Sequence, residues 1–93
     1  MLTLDDKKFD TQITIREAYF IIFEFLERNW QNDNSVEIGQ VLSEMALWST
    51  DIGKAPMDAA VLPEFLSSVE TVSEEIKRTG VFARANISLG KKC

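Results

Sequence analysis

The fold is decided by residues 14–30, which read TIREAYFIIFEFLERNW. Thr14 and Glu17 have the spacing of a capping box, in which each side chain bonds the other residue's backbone N–H at a helix start. The apolar residues on one helical face are Ile15, Ala18, Tyr19, Ile22, Phe25 and Leu26. The stretch therefore predicts a helix from Thr14 to about Trp30, ended by the turn-forming residues 31–34.

Two further helices are predicted downstream. The second begins near Asn34 or Ser35 and ends around Trp48, and residues 49–57 form a loop. A short turn over residues 58–62 then leads into a third helix from about 63 to 78. Pro63 sets this start because its missing N–H is tolerated only near the beginning of a helix. Gly80 suits the position just past the helix end.

The periodicity changes after Gly80. Apolar and polar residues alternate over 81–89, which is the pattern of a half-buried strand. A strand needs a partner, and the candidates are residues 1–4, residues 9–13 or a second copy of the chain. The predicted fold is a single domain, 1–93, that is mainly α with three principal helices. Its minor β element is formed by the chain ends, which makes it a small α+β domain.

Charge and composition exclude several classes of function. The chain has 93 residues with fifteen acids, ten bases and no histidine, for a net charge of −5. Residues 1–75 hold all fifteen acids and five of the bases (−10), and residues 76–93 hold the other five bases and no acid (+5). Without histidine there is no Ser-His-Asp or Cys-His catalysis and no imidazole metal ligand. We expect no catalytic residue, cofactor or metal, and therefore no enzyme.

The acidic body, residues 1–75, also predicts the kind of partner that the protein binds. It makes general binding to nucleic acid unlikely and favours a basic partner. The basic tail leaves RNA binding as a minor alternative to a solvated tail or one that folds back on the acidic body. The longest apolar run, residues 18–23, is far shorter than the about twenty residues of a membrane span. With no signal-peptide pattern and Cys93 as the single cysteine, the sequence predicts a cytoplasmic protein with no membrane association.

Phe20 is the anomaly of the first helix. With Ile22 at the centre of the apolar face, Phe20 points to the polar side, and Phe23 and Trp30 flank that side. Three interpretations stay open. The strand from the chain ends covers Phe20, the residue lies in a homodimer contact, or it anchors a surface for another protein.

Trp48 poses a similar choice. It either ends the core-facing stripe of the second helix or stands with Asp51 at the mouth of the following loop, where a partner reaches it. The candidate partner-binding residues are Phe20, Phe23, Glu24, Glu27, Glu37, Glu44, Trp48 and Asp51.

Residues 15–27, IREAYFIIFEFLE, resemble the opening helix of a family of small bacterial immunity proteins. These belong to contact-dependent growth inhibition and related polymorphic-toxin systems. The resemblance continues through residues 37–43 (EIGQVLS), 58–60 (DAA) and 65–69 (FLSSV), and the predicted closing strand with its basic end fits as well.

The resemblance implies a non-enzymatic inhibitor. Such a protein binds the C-terminal toxin domain delivered by a neighbouring cell and blocks its active site or its access to substrate. Many of these toxins are nucleases with basic, RNA-binding clefts, so the expected partner is a nuclease that cleaves tRNA. No binding residues carry over from the family. The alternative is a small helical adaptor that dimerises and docks a different protein.

Overall fold

Residues 1–85 form three α-helices and one small sheet. The computed structural model describes residues 1–85, and the contacts divide the chain into two compact units, Met1–Met57 and a second beginning at Asp58. The elements of the first unit are a 3₁₀ turn (Lys7–Asp10), α1 (Ile15–Asp33), α2 (Val36–Met45), β1 (Leu47–Thr50) and β2 (Gly53–Pro56). The second unit contains α3 (Val61–Thr79) and a 3₁₀ turn (Ala83–Ala85). The predicted class, a mainly α small α+β fold, is confirmed.

The start of α1 is the predicted capping box. The Glu17 N–H donates to Thr14 Oγ1 at 3.0 Å, and the Thr14 N–H donates to Glu17 Oε1 at 3.3 Å. The helix runs slightly beyond the predicted end, to Asp33, where Asn34 takes a left-handed conformation with φ 54°. Its N–H returns to the Trp30 carbonyl at 2.6 Å, which closes the last turn.

The helices α1 and α2 form an antiparallel hairpin. They are separated by Asn34 and Ser35 alone, and Ser35 caps α2 by accepting from the Ile38 N–H at 3.3 Å. The beginning of α1 meets the end of α2, because the Tyr19 hydroxyl donates to the Met45 carbonyl. Among the residues that the structure describes, the buried ones are Tyr19, Leu42 and Met45 of the helical hairpin and Pro56 at the end of β2.

The predicted inner face of α1 is partly wrong. Phe25 is 63% exposed and Ile22 39% exposed, whereas Phe23 is half-buried and Tyr19 is buried. The face that meets α2 is therefore turned about the helix axis, away from Ile22 and towards Tyr19 and Phe23. The sequence could not fix this rotation because α1 carries apolar residues around most of its circumference.

The sheet lies elsewhere than predicted. Residues 1–13 and 81–85 contain no strand, and residues 86–89 of the predicted closing strand lie outside the described residues. The sheet is instead an antiparallel hairpin of β1 and β2, with register from Leu47↔Pro56 to Thr50↔Gly53. This segment includes most of the predicted loop over 49–57. The hairpin becomes available because α2 ends early, at Met45, where Ala46 turns extended.

The second unit is built around α3, which begins at Val61, two residues before the predicted start. Pro63 lies in the first turn, where its missing N–H leaves no intrahelical hydrogen bond unmade. Gly80 ends the helix as predicted, with φ 84° and its N–H on the Ile76 carbonyl at 2.7 Å. The Glu75 carboxylate then accepts from the Ala83 N–H at 3.0 Å. This contact belongs to a short turn beside α3 in place of the predicted strand.

Candidate functional site

The contact that fixes α1 against α2 is made by Tyr19. Its hydroxyl donates to the Met45 carbonyl at 2.6 Å, and burial raises the pKa of the phenol above its usual value. The Met45 carbonyl is one of the groups at the end of α2 that have no partner within the helix. A buried hydrogen bond at this point sets the relative position of the two helices.

A groove lies between the same two helices, towards the other end of the hairpin. Its volume is about 260 Å³, and its lining residues are Phe23, Glu27, Trp30, Gly39, Leu42 and Ser43. The first three come from α1 and the others from α2. The walls are mainly apolar, and Glu27 places one carboxylate among them.

The groove depends on a close approach at Gly39. A Cβ at this position would lie 2.9 Å from Trp30 Nε1 and 3.4 Å from Trp30 Cδ1. Real side chains do not tolerate the shorter distance, so the indole occupies space that only glycine leaves open. Gly39 in the middle of a helix thus positions Trp30 as a wall of the groove.

Glu24 and Glu27, two carboxylates of α1, differ in their pairing. Glu24 Oε2 is 2.6 Å from Arg28 Nε, and this is the ion pair found within residues 1–85. Glu27 lines the groove, and no described residue makes a hydrogen bond or ion pair with its carboxylate. The negative charge available to a ligand therefore lies at Glu27 more than at Glu24.

Three of the sequence-predicted site residues share one edge of α1. Phe20, Phe23 and Glu27 follow one another at helical spacing, and Trp30 continues the same line. We call these four residues the α1 strip. Phe20 is 51% exposed, and its ring meets that of Tyr19 edge-on with centroids 6.1 Å apart. Among the described residues no strand lies at the chain ends to cover Phe20, so that interpretation has no support.

The other predicted residues do not line the groove. Glu24 lies outside it on α1, Glu37 and Glu44 lie on α2, and Asp51 is in the turn of the β hairpin. Glu37 accepts from the Ser35 hydroxyl at 3.2 Å, next to the cap of α2, and Glu44 is half-buried.

The core interpretation of Trp48 is wrong. Trp48 belongs to β1, opposite Ala55, and is 54% exposed. It was predicted as the end of the α2 stripe, but α2 stops three residues earlier. An exposed position beside the hairpin turn is accessible to a partner.

Four lining residues of the groove were not among the predicted binding residues: Trp30, which had been noted only as flanking Phe20, and Gly39, Leu42 and Ser43. One signal was present, because an isolated glycine within a helical pattern often marks a close packing contact. Which residue packs against Gly39 could not be inferred before the hairpin geometry was known.

Residues 1–85 contain no group of three acidic or cysteine side chains placed to hold a metal ion. No helix in that range combines the length and the apolar character that a membrane crossing requires. Comparison of the chain with protein-family models, curated proteins and solved structures found no match.

Proposed function

We propose that this chain is an immunity protein that binds and neutralises a cognate toxin domain, a basic nuclease that cleaves tRNA. The observation that carries the proposal is the α1 strip, where the half-exposed Phe20 neighbours Phe23 at helical spacing. Phe23 and Glu27 in turn line an apolar groove, and no described residue pairs with the Glu27 carboxylate. Exposed aromatic side chains are frequent anchors of protein interfaces. The resemblance of residues 15–27 to immunity proteins supports the same function.

The charge of the helical hairpin supports a basic partner. Over residues 15–45 there are two bases, Arg16 and Arg28, and six acids: Glu17, Glu24, Glu27, Asp33, Glu37 and Glu44. Complementary potential speeds the encounter of two proteins and fixes their orientation. In the proposed complex these carboxylates occupy the place of substrate phosphates in the nuclease cleft. The inhibitor acts by binding, in the cytoplasm, where a delivered nuclease meets tRNA.

The decisive experiment is co-expression with the toxin domain encoded immediately upstream. We expect a stable complex on co-purification and survival of cells that express both proteins. The association rate should fall as salt is raised, because steering by exposed charges is screened. Absence of both the complex and the protection would refute the proposal.

A matched pair of double variants tests the position of the interface. Phe20→Ala with Glu27→Gln alters the α1 strip and should weaken toxin binding by more than about 2 kcal/mol, the usual threshold of a hot spot. Phe25→Ala with Glu24→Gln makes the same chemical changes elsewhere on α1 and should leave the dissociation constant within about threefold, the change expected of near-neutral positions. Equal effects of the two pairs would place the interface away from the strip.

A second candidate function, a helical adaptor that dimerises, is favoured by a different surface of α1. Ile21, Ile22 and Phe25 are all more than a third exposed and lie next to one another on the helix. Such an apolar stripe suits another helix. A dimeric mass in solution that Phe25→Ala abolishes, together with no binding to the toxin, would favour the adaptor.

A further inference from the structure

We propose that the groove between α1 and α2 binds one arginine side chain of the partner protein. That the partner is a basic protein rests on the proposed function. The preference of the groove for arginine follows from its size, its walls and the unpaired Glu27, and it is testable without the toxin.

The size of the groove restricts the ligand. Pockets for drug-sized molecules and cofactors span about 300–1,000 Å³, and this groove holds about 260 Å³. It opens on the surface of the hairpin, and its lining residue Phe23 neighbours the exposed Phe20 at helical spacing on α1. A single long side chain entering from a protein that covers the α1 strip matches this volume.

The lining determines the charge of that side chain. An acidic group would meet the Glu27 carboxylate, and like charges repel. A purely apolar group would remove water from Glu27 and leave its charge without a partner, which is unfavourable in apolar surroundings. A cation pairs with Glu27, and its hydrocarbon stem packs on Phe23 and Leu42.

Between the two long cations, the walls favour arginine over lysine. The guanidinium group is planar, weakly hydrated and able to stack on an aromatic ring while a carboxylate accepts its N–H groups. Trp30 and Glu27 are three residues apart on α1 and both line the groove, so one guanidinium contacts both. Lysine carries a compact, strongly hydrated charge and would lose more hydration on entry.

The contrast between Glu24 and Glu27 supplies the control for a test. Both are exposed carboxylates on α1, but Glu24 is already paired with Arg28 at 2.6 Å. The two tryptophans supply another, because Trp30 lines the groove while Trp48 lies in β1. Their two indole N–H signals in NMR therefore report the groove and a surface outside it.

The experiment is a titration of the full chain with N-acetylargininamide, followed by both indole signals. N-acetyllysinamide and N-acetylcitrullinamide serve as the cationic and the neutral comparison ligands. We expect a saturable shift of the Trp30 signal with arginine, weaker binding of lysine and citrulline, and no saturable shift of Trp48. Glu27→Gln should weaken arginine binding about two- to fivefold, as expected of a partly exposed ion pair. Glu24→Gln should leave it unchanged.

Three outcomes would overturn the inference: no saturable shift of Trp30, equal affinity for the three ligands, or equal effects of the two glutamine variants. Both substitutions are isosteric and exposed, and the starting indole spectrum shows whether the fold is retained. Arginine binding without toxin binding would refute the proposed function and support the groove's preference. Toxin binding without arginine binding would support the proposed function and refute the groove's preference for arginine.

Discussion

Replacing Tyr19 with phenylalanine tests how α1 is held against α2. The change keeps the ring and removes the hydroxyl that donates to the Met45 carbonyl at 2.6 Å. Because Met45 is buried at the end of α2, its carbonyl would lose a donor that water does not readily replace. Leaving a buried polar group without its partner costs about 1–3 kcal/mol. We expect a loss of this size in the free energy of unfolding, measured by urea denaturation.

The same substitution changes the pH dependence of stability. Burial raises the pKa of Tyr19 above its usual value of 10.0. Below that pH the phenol is neutral in both the folded and the unfolded chain, and its contribution is fully present. As pH rises further, the unfolded chain loses its proton first, so stability falls until the folded pKa is passed. The wild type should therefore lose part of its advantage over Tyr19→Phe above about pH 10.

Tyr19 is the only tyrosine in the chain, so phenolate absorbance reports this group alone. As a control, Phe20→Tyr in the Tyr19→Phe background places the phenol at the neighbouring, half-exposed position. The introduced phenol should titrate near the ordinary value of about 10. The reasoning fails if Tyr19→Phe changes stability by less than about 0.5 kcal/mol and the two phenols titrate together.

Two further changes probe the groove and the first helix. Gly39→Ala gains about 1 kcal/mol of helix propensity but places a Cβ 2.9 Å from Trp30 Nε1. We expect a net loss of about 1 kcal/mol from overpacking and a shifted Trp30 indole signal beside an unchanged Trp48 signal. A more stable protein with both signals unmoved would contradict this. Thr14→Ala should cost about 0.5–2 kcal/mol by removing the helix cap, whereas Thr14→Ser should cost little because it keeps the hydroxyl acceptor. Equal urea midpoints for these two variants would show that the capping box does not stabilise α1.

Local signals in the sequence predicted the start of α1 and the end of α3. The Thr14–Glu17 pair and Gly80 act through their own backbone and near neighbours, so their effect does not depend on the rest of the fold. The end of α2 was harder to predict. The apolar stripe that runs to Trp48 continues past Met45 in sequence, and only the structure shows that Ala46 turns extended and starts a hairpin.

The strand predicted after Gly80 shows that alternation of apolar and polar residues is a poor predictor of strands in short segments. Alternation over residues 81–85 is compatible with a strand, but a strand forms only where a partner offers its backbone. Here the Glu75 carboxylate takes the Ala83 N–H, and the Arg84 guanidinium lies 4.9 Å from the centre of the Phe82 ring. These contacts are made within the second unit, and alternation alone does not reveal them.

The rotation of α1 has the largest consequence for function. With Ile22 at the centre of the inner face, Phe20 is an isolated anomaly among polar residues. With Tyr19 and Phe23 turned towards α2, Phe20 instead continues the edge of the groove, and the unexplained apolar surface is the one around Phe25. The helix thus has two exposed surfaces of different character, the α1 strip and the surface around Phe25. The sequence alone did not distinguish them.

On electrostatic grounds we expect the two surfaces to favour different partners. A second copy of the chain carries the same −5 charge, so pairing through the α1 strip would bring unpaired Glu27 carboxylates together. The surface around Phe25 holds Ile21 and Ile22, and the neighbouring Glu24 is already paired with Arg28, so we expect self-association to be less opposed there. A basic partner has the opposite preference and gains most at Glu27. Phe20→Ala should therefore reduce toxin binding without changing the mass in solution. Phe25→Ala should leave toxin binding unchanged, and it should lower the mass if the chain dimerises. A single variant that removed both properties would show that one surface serves both partners.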